Sequence, residues 1–143
     1  MLSKRGTINS IVRITPRSPH GIYLAEKGAN TIYYNGNKGE TEWVTNTCRV
    51  NVQDLVIESA EVVYALSNEG EVTKSTSAGS GWLVAKSTNL DSRATIVRAS
   101  DGTLLVGSQD GYVAYSTDGN SSWNKIHEVI QREAGRVQVV ADE

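Results

Sequence analysis

Ser116-Thr117-Asp118-Gly119-Asn120-Ser121-Ser122-Trp123, followed at once by Asn124-Lys125-Ile126, is the stretch that decides the fold. A β-rich run over 112–115 leads into it from the turn pair Asp110-Gly111. Two earlier stretches are worn copies. Ser75-Thr76-Ser77-Ala78-Gly79-Ser80-Gly81-Trp82 keeps the serine, a glycine and the tryptophan, while Asn37-Lys38-Gly39-Glu40-Thr41-Glu42-Trp43 keeps less. Trp82 follows Trp43 by 39 residues and Trp123 follows Trp82 by 41. A recurrence near 40 marks a repeat architecture, in which one unit cannot bury its apolar surface alone and stacks on the next.

Each unit divides into four short β-rich runs. In the first they are 7–14, 21–25, 30–34 and a run opening at Trp43. The second gives 50–58, 61–66, 71–74 and 82–85. The third gives 94–99, 103–107, 112–115 and 123–127. Leu55-Val56-Ile57 is wholly apolar, as an inner strand covered on both faces would be. Pro16 and Pro19 break the ladder after the first run. Asp101-Gly102, Asp110-Gly111 and Asp118-Gly119 suit tight turns, because glycine accepts positive φ without a Cβ clash. Gly28, Gly70 and Gly111 recur with the same period as the tryptophans. A further run over 136–140 reads as the first strand of another unit. The 124–134 stretch is compatible with a helix, and strand followed by loop is preferred. Helical repeats of this length would need apolar spacings of three and four over ten or more residues, which the chain lacks.

These features predict an all-β chain: a single partial β-propeller of about three four-stranded antiparallel blades plus one extra strand. The blade units fall near 3–47, 48–90 and 91–131, with 132–143 opening a further blade. Three blades do not close a ring, since propellers typically have 4 to 8. The expected partners are therefore neighbouring blades of a longer parent chain or further copies of the same chain.

The box has a physical logic of its own. Short polar side chains fold back onto turn N–H groups, and glycine or asparagine tolerates the left-handed position. The indole then buries a large apolar area while its N–H finds a local acceptor, so Trp43, Trp82 and Trp123 are expected to be buried. On these residues the stretch 116–123 resembles the Asp-box, or BNR repeat, S-x-D-x-G-x-x-W. Asn120 stands at the glycine, Ser77 at the second aspartate, and the first copy has an extra residue between Gly39 and Trp43. The resemblance assigns the structural positions to Ser116, Asp118, Asn120 and Trp123, to Ser75, Gly79 and Trp82, and to Gly39 and Trp43. In that family the box is a peripheral fold element between the third and fourth strands, remote from the ligand-binding face. Its members include sialidases, sortilin-type receptors, photosystem assembly factors and many surface propellers.

The function this implies is a non-catalytic structural or interaction module, binding protein or glycan, at the cell surface or outside the cell. A sialidase-like glycan hydrolase fragment is the alternative, and a photosystem-type assembly factor a third reading. A sialidase needs an arginine triad, a tyrosine–glutamate pair and an aspartic acid. Val12-Arg13-Ile14-Thr15-Pro16 resembles the family's Arg-Ile-Pro element with Thr15 interrupting it, and Arg49, Arg93, Arg98 and Arg136 could supply the other arginines, but solvated strand ends explain all five equally well. A net charge of −2 with no basic cluster excludes a nucleic-acid face. No apolar run reaches the roughly 20 residues of a membrane span, and no secretory signal follows Met1. Cys48 is the only cysteine and reads as a core residue. His127-Glu128-Val129-Ile130-Gln131 misses the second histidine of a zinc motif. Asp101, Asp110 and Asp118 read as turn residues, so neither metal nor cofactor is expected. Asn120-Ser121-Ser122 matches an N-glycosylation pattern, with the asparagine already needed in the turn.

Overall fold

The computed structural model describes residues 10–14, 21–37, 40, 42–91 and 95–126, with 10–14 as backbone only. The further strand expected over 136–140 lies outside the described residues, as do Gly39, Arg93, His20 and the 127–131 motif.

Among the described residues there are twelve strands and no helix. Sheet one is β1 (Ser10–Ile14), β2 (Ile22–Glu26), β3 (Thr31–Asn35) and β4 (Val44–Thr47). Sheet two is β5 (Val52–Ile57), β6 (Val63–Ser67), β7 (Glu71–Ser75) and β8 (Lys86–Ser87). Sheet three is β9 (Thr95–Arg98), β10 (Leu104–Gly107), β11 (Val113–Ser116) and β12 (Asn124–Ile126). Every pairing is antiparallel between chain neighbours, so each sheet is a meander. The first strands lie side by side, β1 against β5 and β5 against β9. That is the radial stacking of propeller blades, and the all-β partial propeller of three four-stranded blades stands.

The middle sheet shows why the units need one another. All five residues of β6 are buried. Side chains alternate along a strand, so Val63 and Ala65 join Tyr23, Ala25, Ile32, Leu55 and Ile57 in one core. Tyr64 and Leu66 point the other way, joining Val72, Ile96, Leu104, Val106 and Ala114 in the second. Cys48 sits in the first core, where burial pushes its thiol up to about 11.

One strand departs from the sequence reading. Residues 82–85 do not form the last strand of sheet two; β8 is the two-residue Lys86–Ser87. Leu83 instead makes isolated bonds, its N–H to Lys74 O at 2.9 Å and its carbonyl to Thr73 Oγ1 at 2.7 Å. Leu83 and Val84 are exposed. Apolar composition at an outer edge therefore imitated a ladder that is not there.

Two inter-sheet devices reinforce the cores. A register shift between Val52 and Asp54 marks an irregularity in β5 beside the buried Asp54. Its Oδ1 accepts from Leu55 N at 2.9 Å, and its Oδ2 accepts from Ile96 N and Thr95 Oγ1, both at 2.9 Å. One carboxylate of the second sheet thus caps the first strand of the third. The other device is Gly70 at φ +84°, where an added Cβ would lie 2.6 Å from Leu90 O. Thr88 donates to Gly70 O through both N at 2.9 Å and Oγ1 at 2.6 Å. The β6–β7 turn is thereby fixed to the segment leading into sheet three.

Candidate functional site

The sequence-predicted box residues converge in the hairpins between third and fourth strands. In sheet three, Ser116 Oγ accepts from Asn120 N at 3.1 Å and donates to Asp118 Oδ1 at 2.8 Å. Asp118 also accepts from Ser122 N at 2.9 Å and Ser122 Oγ at 2.5 Å. Trp123 Nε1 donates to Asn120 Oδ1 at 2.6 Å. In sheet two, Ser75 Oγ accepts from Gly79 N and Ser77 Oγ from Gly81 N, both at 2.9 Å. Ser77 therefore receives the bond that Asp118 receives one unit later. Trp82 Nε1 donates to the backbone Gly79 O at 2.8 Å.

Asn120 and Gly79 hold equivalent left-handed positions, φ +78° and +85°. Both lie on the preceding sheet. An added Cβ on Gly79 would contact Ile32, 3.6 Å away, and Asn120 Nδ2 donates to Val72 O at 2.9 Å. Ile32 and Val72 occupy matching places in β3 and β7. The box is a joint between blades.

The indoles are half-buried, which corrects the expectation that Trp43, Trp82 and Trp123 are buried. Trp82 and Trp123 pack at the margins of the two cores, where the ring covers apolar surface and the N–H reaches the turn. The first hairpin is the most altered. Asn35, absent from the sequence reading, takes the serine position, its Oδ1 accepting from Asn37 N at 2.8 Å. Its distance of 40 residues from Ser75 was the available signal.

Asp118 is held well below the usual carboxylate range, at about 2, chiefly by the Ser122 hydroxyl, then by Ser122 N–H and Ser116. A depressed pKa contributes stability that is present above the unfolded value, about 4, and is lost as pH falls through the folded value. The Tm difference between the native chain and Asp118→Asn should therefore shrink between about pH 4 and pH 2. Thermal scans across that window check it; a constant difference would contradict these bonds.

Asn120 Nδ2, the atom a glycan would occupy, is buried and spent on Val72 O. Expression in a glycosylating host should leave Asn120-Ser121-Ser122 unmodified in folded protein, as intact-mass measurement will show. Asp101 and Asp110 likewise serve their own turns, Asp101 Oδ1 accepting from Thr103 N at 2.9 Å and Asp110 Oδ1 from Ser108 Oγ.

The opposite ends of the sheets carry the second–third hairpins and the links between units. Here Asn30, Arg49, Asn51, Asn68, Glu69 and Glu71 line a polar cleft of about 170 Å³ between sheets one and two. Its walls are held by backbone: Cys48 N to Asn30 O at 2.6 Å, Val52 N to Ala29 O at 2.8 Å, and Asn68 N to Asn51 O at 3.2 Å. Ser67 Oγ accepts from Glu69 N at 3.1 Å and Glu71 N at 2.9 Å. Ser108 repeats the device 41 residues on, accepting from Tyr112 N at 2.7 Å. The sequence reading saw the turn glycines here and missed these serines and the cleft.

A tyrosine–glutamate pair does exist, Tyr64 OH donating to Glu58 Oε1 at 3.0 Å, with Arg98 Nε 3.3 Å from the same oxygen. Tyr64 is only 1% exposed, and burial raises its pKa. A nucleophile requires the reverse. Arg49 precedes β5 and Glu58 follows it, so Arg49 lies at the other end of that strand, exposed at the cleft. The pair is a packing device beneath sheet three.

No family model and no curated protein matches this sequence. Among solved structures, YCF48 from Cyanidioschyzon merolae superposes with a TM-score of 0.67 at 13% identity, over 87% of this chain and 40% of that one. A YCF48 bound to D1 peptide gives 0.61 at 15%, over 90% and 47%. The fold is a β-propeller. The GH74 enzyme of Niastella koreensis gives 0.58 at 16%, over 79% of this chain and 17% of its own. The chain thus spans less than half the length of these propellers, and at such identities the likeness concerns fold alone.

Proposed function

We propose that this chain is a non-catalytic interaction module, a propeller piece of the assembly-factor kind whose cleft at Arg49, Asn68 and Glu71 grips a partner polypeptide. The observation that carries the reading is the size and lining of the cleft. Its volume of about 170 Å³ is below the roughly 300 Å³ at which pockets begin to enclose small ligands. One side chain or chain end of a polypeptide fits that space. Three asparagine amides and charges of both signs suit peptide groups and charged termini.

The likeness to a YCF48 bound to D1 peptide supports protein binding. Photosystem assembly factors also belong to the Asp-box family that the 116–123 hairpin resembles. Both points favour the assembly-factor reading over the surface module first expected from the sequence. Placement at the cell surface belongs to that displaced reading, and protease accessibility on intact cells tests it. The Asp-box assignment of the three hairpins, and unit bounds near residues 47, 90 and 131, are part of the same proposal.

A peptide-display selection against the chain tests it. Selected peptides should lose at least tenfold affinity for Arg49→Glu and bind Asp118→Asn, altered at the other end of the sheets, as tightly as the native chain. Equal binding to Arg49→Glu would end the cleft assignment. The glycan-hydrolase reading, with the GH74 likeness beside it, requires turnover of a fluorogenic sialoside above background, and the loss of that turnover on changing Arg13 would complete the case.

A further inference from the structure

The two joints inside this molecule are built from matching positions, and each has a direction. In the first, Tyr23 and Ile32 of sheet one meet Val63 and Ala65 of sheet two, with Gly79 of the second box lying over Ile32. In the second, Tyr64 and Val72 meet Leu104 and Val106, and Asn120 of the third box bonds Val72 O. The period of 41 carries Tyr23 to Tyr64 to Leu105, and Val63 to Leu104. Each sheet thus has one face that receives the next unit's box and one that presents its own.

One face of each kind lies outside both joints. Leu105, Val97 and Tyr115 form a cross-strand row on sheet three, half-buried and in neither core among the described residues. Ile22 and Leu24, which match Val63 and Ala65, are likewise half-buried and in neither core. These are the two halves of a third joint of the same type.

We propose that the Leu105 face receives sheet one of a second copy of this chain, with the Leu105 face of that copy receiving sheet one in return. Continuity with the two internal joints sets the geometry. The contact is heterologous, and such contacts form a ring when the rotation closes. Two copies of the three sheets formed by the described residues give six blades, inside the range of 4 to 8 that propellers close with.

Light scattering on the 143-residue chain should give twice its 15.5 kDa mass. Leu105→Asp and Leu24→Asp should each be monomeric, since every joint in either protein contains a damaged half. Mixing the two should restore a species of double mass, because one undamaged joint remains. Leu83→Asp, on the exposed rim, should stay dimeric. A folded native monomer at about 100 µM, open-ended larger assemblies, or folded variants that fail to pair on mixing would each overturn the proposal. Should a variant not fold, hydrogen exchange on the native chain decides: amides of β10 and β11 should gain protection with concentration, and unchanged protection overturns the two-copy ring.

Discussion

Replacing Asp54 by alanine should destabilise the fold by about 4 kcal/mol, because hydrogen bonds to a charged group contribute roughly 1.5–3 each and buried donors are costly to strand. The carboxylate accepts from Leu55 N, Thr95 Oγ1 and Ile96 N, and the residue is 6% exposed. Alanine leaves two of those backbone N–H groups buried without this acceptor. In a chain of this size the loss corresponds to a fall in Tm on the order of 12 °C. Asp54→Asn keeps one oxygen and turns an NH₂ toward former donors, so it should fall between the two. Urea melts of the three proteins check the order. If alanine and the native chain unfold at the same urea concentration, the carboxylate does not hold sheet three.

Asn120→Ala comes second, at about 3 kcal/mol. Three losses combine: alanine at φ +78° lacks the short polar side chain that lets asparagine tolerate the left-handed region, a difference of about 1 kcal/mol, and Trp123 Nε1 and Val72 O each lose a bond at about 1 kcal/mol apiece. Asn120→Gly removes the backbone strain, and the second unit shows how a glycine there is served, with Trp82 Nε1 donating to Gly79 O. Glycine should therefore cost about 1 kcal/mol less than alanine despite losing the same side-chain bonds. The contrast separates backbone conformation from side-chain bonding. Equal destabilisation by the two would mean that φ at this position carries no weight.

Much of this fold was legible because its signals are local and recur. Asp–Gly turns, a β-rich run and an indole at a set distance lie within one hairpin, and three copies near 40 residues apart force a stacked architecture. The positive φ of Gly28, Gly70 and Gly111 follows from the same reasoning. What stayed hidden acts across the period. Asp54 sits just before the apolar run Leu55-Val56-Ile57, and its partners Thr95 and Ile96 lie 41 and 42 residues away, so no local pattern marks it as a cap. Asn35 was missed because an asparagine oxygen does the work of a serine hydroxyl under a different letter. The cleft was invisible for another reason: Arg49 and Asn51 come from a link between units and Asn68 and Glu71 from a hairpin, and only stacking brings them together. The half-buried indoles show a limit of composition. A tryptophan at a sheet margin satisfies its ring and its N–H at once without being fully enclosed.

The one-way joint also bears on how such a chain changes length. Because every unit leans its hairpin on the sheet before it, adding or deleting one whole stretch of about 41 residues leaves each surviving contact with both of its customary sides. An in-frame duplication in the gene would set matching sheet faces and hairpins together again, apart from the Asp54 cap, which needs the Thr95 and Ile96 of the third unit, whereas a shift of a few residues would set the left-handed residue and the indole against the wrong neighbours as well. Evolution of this molecule by whole units is thus mechanically easy, and by fractions of a unit nearly closed.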